Sequence, residues 1–176
     1  MNQILEISKG LKGEYKVGDQ RITRYPTGAV KETLHSFSMD YLDNKIVVFG
    51  NYHSGNHLGK NHETPPYQIK IKGTTNSTLK IYPRTKFNRT ILRFLNSFDD
   101  KIESEYHFSP DKISERLKRN PKATRILLER PVSIMTRDER NEIEIIIHER
   151  HLNKGQLLDL IDLSKELINE IKKASS

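Results

Sequence analysis

The chain has 176 residues, the length of one domain around a single core. With 34% hydrophobic and 30% charged residues and no low-complexity tract, it reads as a globular protein lean in core-forming side chains, a single sheet with helices on one side. Cysteine is absent, which excludes disulfides, thiolate nucleophiles and cysteine-ligated metals, while the net charge of +7 points to an anionic partner.

Residues 1–11 predict a short N-terminal helix ahead of a core spanning 30–172, within a single domain over 1–176. The opening MNQILEISKGLKGEYK carries Glu6 and no apolar run of signal-peptide type, and no segment approaches the roughly 20 apolar residues of a membrane span. A soluble protein in the cytoplasm is the expectation.

HSFSMDY, residues 35–41, alternates strictly, with His35, Phe37, Met39 and Tyr41 on one face, and predicts a half-buried strand. Leu42-Asp43-Asn44-Lys45 supplies turn chemistry, and IVVF at 46–49 follows as a strand buried on both faces, closing a hairpin. Next comes NYHSGNHLGKNHE, where His53, His57 and His62 fall close together. Three imidazoles could ligate zinc, but the interspersed glycines and asparagines argue against a regular element. The His62-Glu63 pair runs into Thr64-Pro65-Pro66, so the zinc-protease pattern fails. We read a polar loop between strands, with no metal.

YQIKIKG at 67–73 and LKIY at 79–82 read as a second hairpin, and residues 87–96 as a short helix. IESEYHF, residues 102–108, alternates as a strand with Glu103, Glu105 and His107 on its wet face. Ser109-Pro110 and Asn120-Pro121 have the form of helix starts and predict helices over 110–119 and 121–130, the second stopped by Pro131. Residues 132–136 and 142–148 predict a third hairpin around Arg137-Asp138-Glu139-Arg140, with Glu142 and Glu144 facing water. From Lys154 onward, Leu157, Leu160, Ile161, Leu167, Ile168 and Ile171 repeat at helical spacing. Five or six strands in hairpins and one-sided alternation give an α+β fold. Its single, mainly antiparallel sheet is covered on one face by the C-terminal helix and the short central helices.

The positive charge is localised. Between Glu63 and Asp99 there is no acid, while Lys70, Lys72, Lys80, Arg84, Lys86, Arg89 and Arg93 fall in that window and account for the whole excess. Tyr82, Phe87 and Phe94 lie among them, the mixture of cations and aromatics that a nucleic-acid groove uses. ERLKRNPKATR adds Arg116, Lys118, Arg119, Lys122 and Arg125. The carboxylate and histidine sets Glu103, Glu105, His107 and Glu142, Glu144, His148 offer acid–base chemistry only if burial shifts them, and a solvated face paired with Lys70, Lys72 or Lys80 is the simpler expectation. Phosphate-binding loops, dinucleotide fingerprints, nucleophile elbows and nucleic-acid-binding signatures are all missing from the sequence.

From about residue 30 the order of elements resembles a group of uncharacterised prokaryotic α+β domains. The similar part is SFDDKIESEYHFSPDKISERL at 97–117, a short helix RILLER, a strand pair, and a final helix like LLDLIDLSKELINEI. The resemblance implies an architecture and no assigned activity. Domains of that group are often attached to transmembrane segments, whereas this sequence has its acid-free basic window and no such segment.

The expected role is thus a non-catalytic, cofactor-free domain presenting a basic surface to nucleic acid or another polyanion. The alternatives are a protein-interaction module, a homodimer included, and a peripheral binder of anionic membranes.

Overall fold

Every strand pairing is antiparallel in the computed structural model, which describes residues 2–25, 28–54, 67–73, 78–85, 88, 90, 101–137, 141–149 and 151–175. A short helix α1 (Gln3–Ser8) is followed by β1 (Glu14–Tyr25), β2 (Gly28–Tyr41), β3 (Asn44–Ser54), β4 (Tyr67–Lys72) and β5 (Lys80–Pro83). Then come α2 (Lys101–Glu105), β6 (Tyr106–Phe108), α3 (Lys112–Arg119), α4 (Pro121–Glu129), β7 (Val132–Arg137), β8 (Glu142–Ile147) and α5 (Lys154–Ser175). The eight strands form one sheet in the order β1-β2-β3-β4-β8-β7-β5-β6, and α5 packs on it, an α+β architecture.

Local chemistry sets the strand phase. Leu42 (φ 47°) and Asp43 (φ 65°) both take left-handed backbone between the paired Tyr41 and Asn44. Two positive-φ residues give the tight turn whose twist matches a hairpin, and they fix the β2–β3 register. Phe37 is then fully buried, Met39 and Tyr41 pack against the core, and Ile46 and Val48 lie opposite them. The expected alternation over 35–41 is therefore present, inside a strand that starts earlier, at Gly28.

The expected second hairpin is not formed. β4 pairs with β3 and β8, while β5 pairs with β7 and β6, so the β7–β8 hairpin lies between them. Electrostatics favours this arrangement. A 72–80 hairpin would set Lys72 against Lys80, and like charges directly opposite are destabilising. In the observed register Lys70 faces Glu144 and Lys72 faces Glu142, while Ile69 and Ile71 meet Ile145 and Ile143 on the core side.

Two further expectations change. Residues 101–105, expected as strand, are the helix α2, which leaves only Tyr106–Phe108 for β6. The cap of α3 is Asp111, accepting from the Ile113 and Ser114 amides at 2.9 Å each, in place of Ser109. Ser109 Oγ instead accepts from the Lys80 amide at 3.0 Å and donates to the Asp111 carboxylate. The expected helix over 87–96 lies almost wholly outside the described residues.

α5 supplies the lid. Asn153 and Gln156 exchange hydrogen bonds, Gln156 N to Asn153 Oδ1 at 2.9 Å and Asn153 N to Gln156 Oε1 at 2.8 Å, a reciprocal cap that satisfies two free amides. Leu157, Leu160, Ile161, Leu163, Leu167 and Ile168 are buried from this helix. They meet Ile4 and Ile7 of α1 and Ile113, Leu117, Ile126 and Leu127 of α3 and α4 in one cluster over the sheet. Tyr106 ties the far end together, its hydroxyl donating to Leu127 O at 2.9 Å and accepting from Val132 N at 3.2 Å. The other face of the sheet carries Gln68, Lys70, Glu142, Glu144, Met135, Lys80, Tyr82 and His107. None of the described helices packs against it in the manner of α5.

Candidate functional site

The acid-free window does not act as a block. Lys70 is engaged on the sheet face opposite α5, with Nζ 3.1 Å from Glu142 Oε1 and 3.8 Å from Glu144 Oε1. Arg137 holds the same Glu144 through Nε at 2.9 Å and a terminal nitrogen at 2.8 Å, and Gln68 donates to it as well. Glu142 and Glu144 are only 5% and 6% exposed, so the expected wet face of β8 is instead a packed ion network. A packed charge needs its partners, and here each has them. Arg84 Nε donates to the carbonyls of Glu103 and Tyr106 at 3.0 Å each, which joins β5 to β6 and α2. Lys72 and Lys80 are exposed and have no ion pair among the described residues, but β8 and β7 stand between their strands, three strand spacings or about 14 Å. Lys86, Arg89 and the whole of Arg93 fall outside the described side chains.

In the second cluster the five cations divide. Lys118 sits between Glu103 and Glu115, 2.7 Å from each. Burial alone would lower its pKa, but the bonds to Glu103 and Glu115 outweigh it and hold the lysine above its ordinary value. Lys122 pairs with Asp162 at 3.0 Å and Glu166 at 3.5 Å, which raises it too, chiefly through the Asp162 bond. Burial pushes the Asp162 carboxyl up, yet Lys122 and Lys165 together hold it below the usual range. Arg125 is exposed on α4 with no partner among the described residues.

Arg116 and Arg119 are brought together with two cations that sequence reading passed over. They line an open depression of about 630 Å³ between α3 and the end of α5, with Lys112, Glu115, Asn120, Pro121, Glu170 and Lys173. Both carboxylates there are already committed, Glu115 to Lys118 at 2.7 Å and Glu170 to Lys173 at 2.8 Å and to the Asn120 amide. Lys112 Nζ donates to the carbonyl of Ala174 at 3.2 Å, a neutral acceptor. Lys112, Arg116 and Arg119 therefore remain without a carboxylate among the described residues. Their spacing of four and three places them on one face of α3, a helical periodicity visible in DKISERLKR had the cluster been read from Lys112. For Arg116 and Arg119 part of the role is local, since cations in the last turn of a helix offset its dipole.

Among the described residues no group of three or more His, Asp or Glu side chains could hold a metal ion. His53 belongs to β3, whereas His57 and His62 lie outside the described residues. Ser133 Oγ and His148 Nε2 stand 2.8 Å apart, but no carboxylate among the described residues bonds the ring's other nitrogen, which a nucleophile–base pair uses to fix its tautomer.

One histidine is built into the fold. His35 Nδ1 lies 2.6 Å from Tyr15 Oη and 2.9 Å from Asn2 Nδ2, and its ring meets Tyr52 edge-on at 5.1 Å. Asn2 Oδ1 accepts from Leu5 N as the cap of α1, so its amide N–H groups face the imidazole. Nδ1 must then offer a lone pair. Burial holds the His35 pKa below its ordinary value of 6.5, so the unfolded chain takes up its proton first as pH falls. The contribution of neutral His35 is full above 6.5 and is lost as pH falls through the lowered folded value. Urea unfolding at pH 7.5 and 5.0 is expected to show lower stability at the acidic pH, with a smaller difference in His35→Phe.

No helix among the described residues is long and apolar enough to cross a membrane. No protein-family model, curated protein or solved structure matches the chain.

Proposed function

We propose that the protein is a binding domain for nucleic acid or another polyanion and that Lys112, Arg116 and Arg119 of α3 form the anchoring site, with Lys173 at its rim. The observation that carries this reading is the surplus of positive charge around one depression, where Glu115 is paired with Lys118 and Glu170 with Lys173, leaving Lys112, Arg116 and Arg119 without a carboxylate among the described residues. When these cations neutralise its phosphates, a polyanion sheds the small cations condensed along it, the main source of affinity in such contacts. Lys70, Lys118 and Lys122 serve the fold through their carboxylates in this reading, while Lys72, Lys80 and Arg125 extend the positive field without joining the anchor.

The test is the double variant Arg116→Ala/Arg119→Ala against the unaltered protein, with a labelled oligonucleotide at low salt. Loss of about tenfold or more in affinity, with stability lowered by no more than about 1–2 kcal/mol through the lost dipole contacts, is expected from removing two of the three cations that have no carboxylate among the described residues. Equal affinity of the two proteins would remove the site.

A second reading, self-association along the edge strand β1, is favoured by exposed Val17 and Ile22 at 56% and 60%. The register shift between Val17 and Gln20, together with exposed Lys16, Asp19, Arg21 and Arg24 on that strand, works against it.

A further inference from the structure

Tyr82 is a large aromatic side chain left 47% exposed in the interior of a regular strand. It is Cα partner to His107 across β5–β6, and the two ring centroids lie 4.8 Å apart with the ring planes tilted by 31°. Since Ile81 is buried and Phe108 packs on the core, alternation sends both rings to the sheet face away from the helices. Lys80, two residues before Tyr82, is exposed on that same face and has no carboxylate partner among the described residues. Its register partner on β7 is the apolar Met135.

We propose that Tyr82, His107 and Lys80 form a stacking platform for a base of single-stranded nucleic acid, with the lysine taking an adjacent phosphate. The platform is separate from the anchoring depression on the helical side, and it assigns a class to the polyanion. An aromatic face gains nothing from a bare phosphate chain, and in a duplex the base faces are already stacked on one another. Only an unpaired base has a face to offer. The charge next to the rings matches the backbone that such a base brings with it.

Preorganisation strengthens the case. The β5–β6 pair is clamped by Arg84 N to Glu105 O at 2.8 Å, Ser109 N to Lys80 O at 2.8 Å, Lys80 N to Ser109 Oγ at 3.0 Å and the Arg84 guanidinium described above. The rings are thus held before any ligand arrives, and little ordering cost remains at binding. Nothing in the packing of the core calls for an aromatic residue at an outward position beside another ring.

Fluorescence anisotropy with a labelled oligothymidylate of about ten nucleotides, an equally long duplex and inorganic polyphosphate as competitor tests the platform. Tyr82→Ala is expected to weaken single-strand binding by about tenfold or more, Tyr82→Phe to retain it, and neither to change the competition by polyphosphate. Equal single-strand affinity in Tyr82→Ala and the unaltered protein would overturn the platform. So would an equal loss in Tyr82→Phe, or a matching loss toward polyphosphate. Arg116→Ala/Arg119→Ala separates this from the anchoring site: it should weaken polyphosphate and oligonucleotide together. If that variant keeps full affinity while Tyr82→Ala loses it, the anchor fails and the platform stands.

Discussion

Ile4→Ala should lower the free energy of unfolding by about 3 kcal/mol, as for a fully buried isoleucine whose cavity cannot collapse. Ile4 and Ile7 are both 0% exposed, although they sit on a helix of six residues that would not persist alone in water. What holds α1 in place is a close approach to the sheet at Gly50. A Cβ there would come within 2.7 Å of Ile4 Cγ1 and 3.0 Å of the Tyr52 ring, so the glycine makes room for the helix. Tyr52 answers from the other side, its hydroxyl accepting from Gln3 N at 2.8 Å. Urea denaturation checks the value through a lower midpoint at unchanged slope. Were α1 an appendage outside the core, the change would stay within about 0.5 kcal/mol.

Glu144→Ala should cost a similar amount, about 3 kcal/mol, because it strips one carboxylate from a network in which Lys70 and Arg137 both depend on it. The figure is at the low end for a packed ion group, since the Arg137 side chain is 49% exposed and water screens part of its charge. Glu144→Gln keeps the shape and an acceptor for the Gln68 amide and should recover part of the loss. A solvated Glu144, as plain alternation along β8 predicts, would change stability by no more than about 0.5 kcal/mol in either variant. Thermal unfolding of the three proteins side by side distinguishes the two cases.

These two sites also mark where sequence reading stops. The strand 35–41, the turn at Leu42-Asp43, the β7–β8 hairpin and the long α5 were all legible, because each carries a local period or a turn with a single geometric solution. β1 was not. EYKVGDQRITRY presents scattered apolar residues, and the register shift between Val17 and Gln20 breaks the alternation halfway. Ile4 and Ile7 are three apart on one helix face, a signal too short to separate a docked helix from a polar terminus. Residues 101–105 read as strand from their alternation, while only Tyr106 to Phe108 pair with β5.

The β4–β5 error is of a different kind. Hairpins are the economical link between adjacent strands, and only the charges on Lys70, Lys72, Glu142 and Glu144, taken across about 70 residues of chain, point to the actual pairing. The same long-range pairing removes Lys70 from the free charge of the basic window. Charge counted along a chain says nothing of carboxylates that arrive from another strand, and Glu142 and Glu144 arrive at Lys70. In α3 the reverse holds. The two carboxylates that share the depression with Arg116 and Arg119 are committed to Lys118 and Lys173, so among the cations of 116–125 these two are left over together with Lys112, which sequence reading passed over.

The anchoring role of those leftover cations is tested most directly by the salt dependence of single-strand affinity. Four engaged cations, three at the anchor and Lys80 at the platform, should give a plot of log affinity against log salt with a slope of about −3, and Arg116→Ala/Arg119→Ala should flatten it toward about −1.4. A slope near zero, or one that the double variant leaves unchanged, would contradict the account.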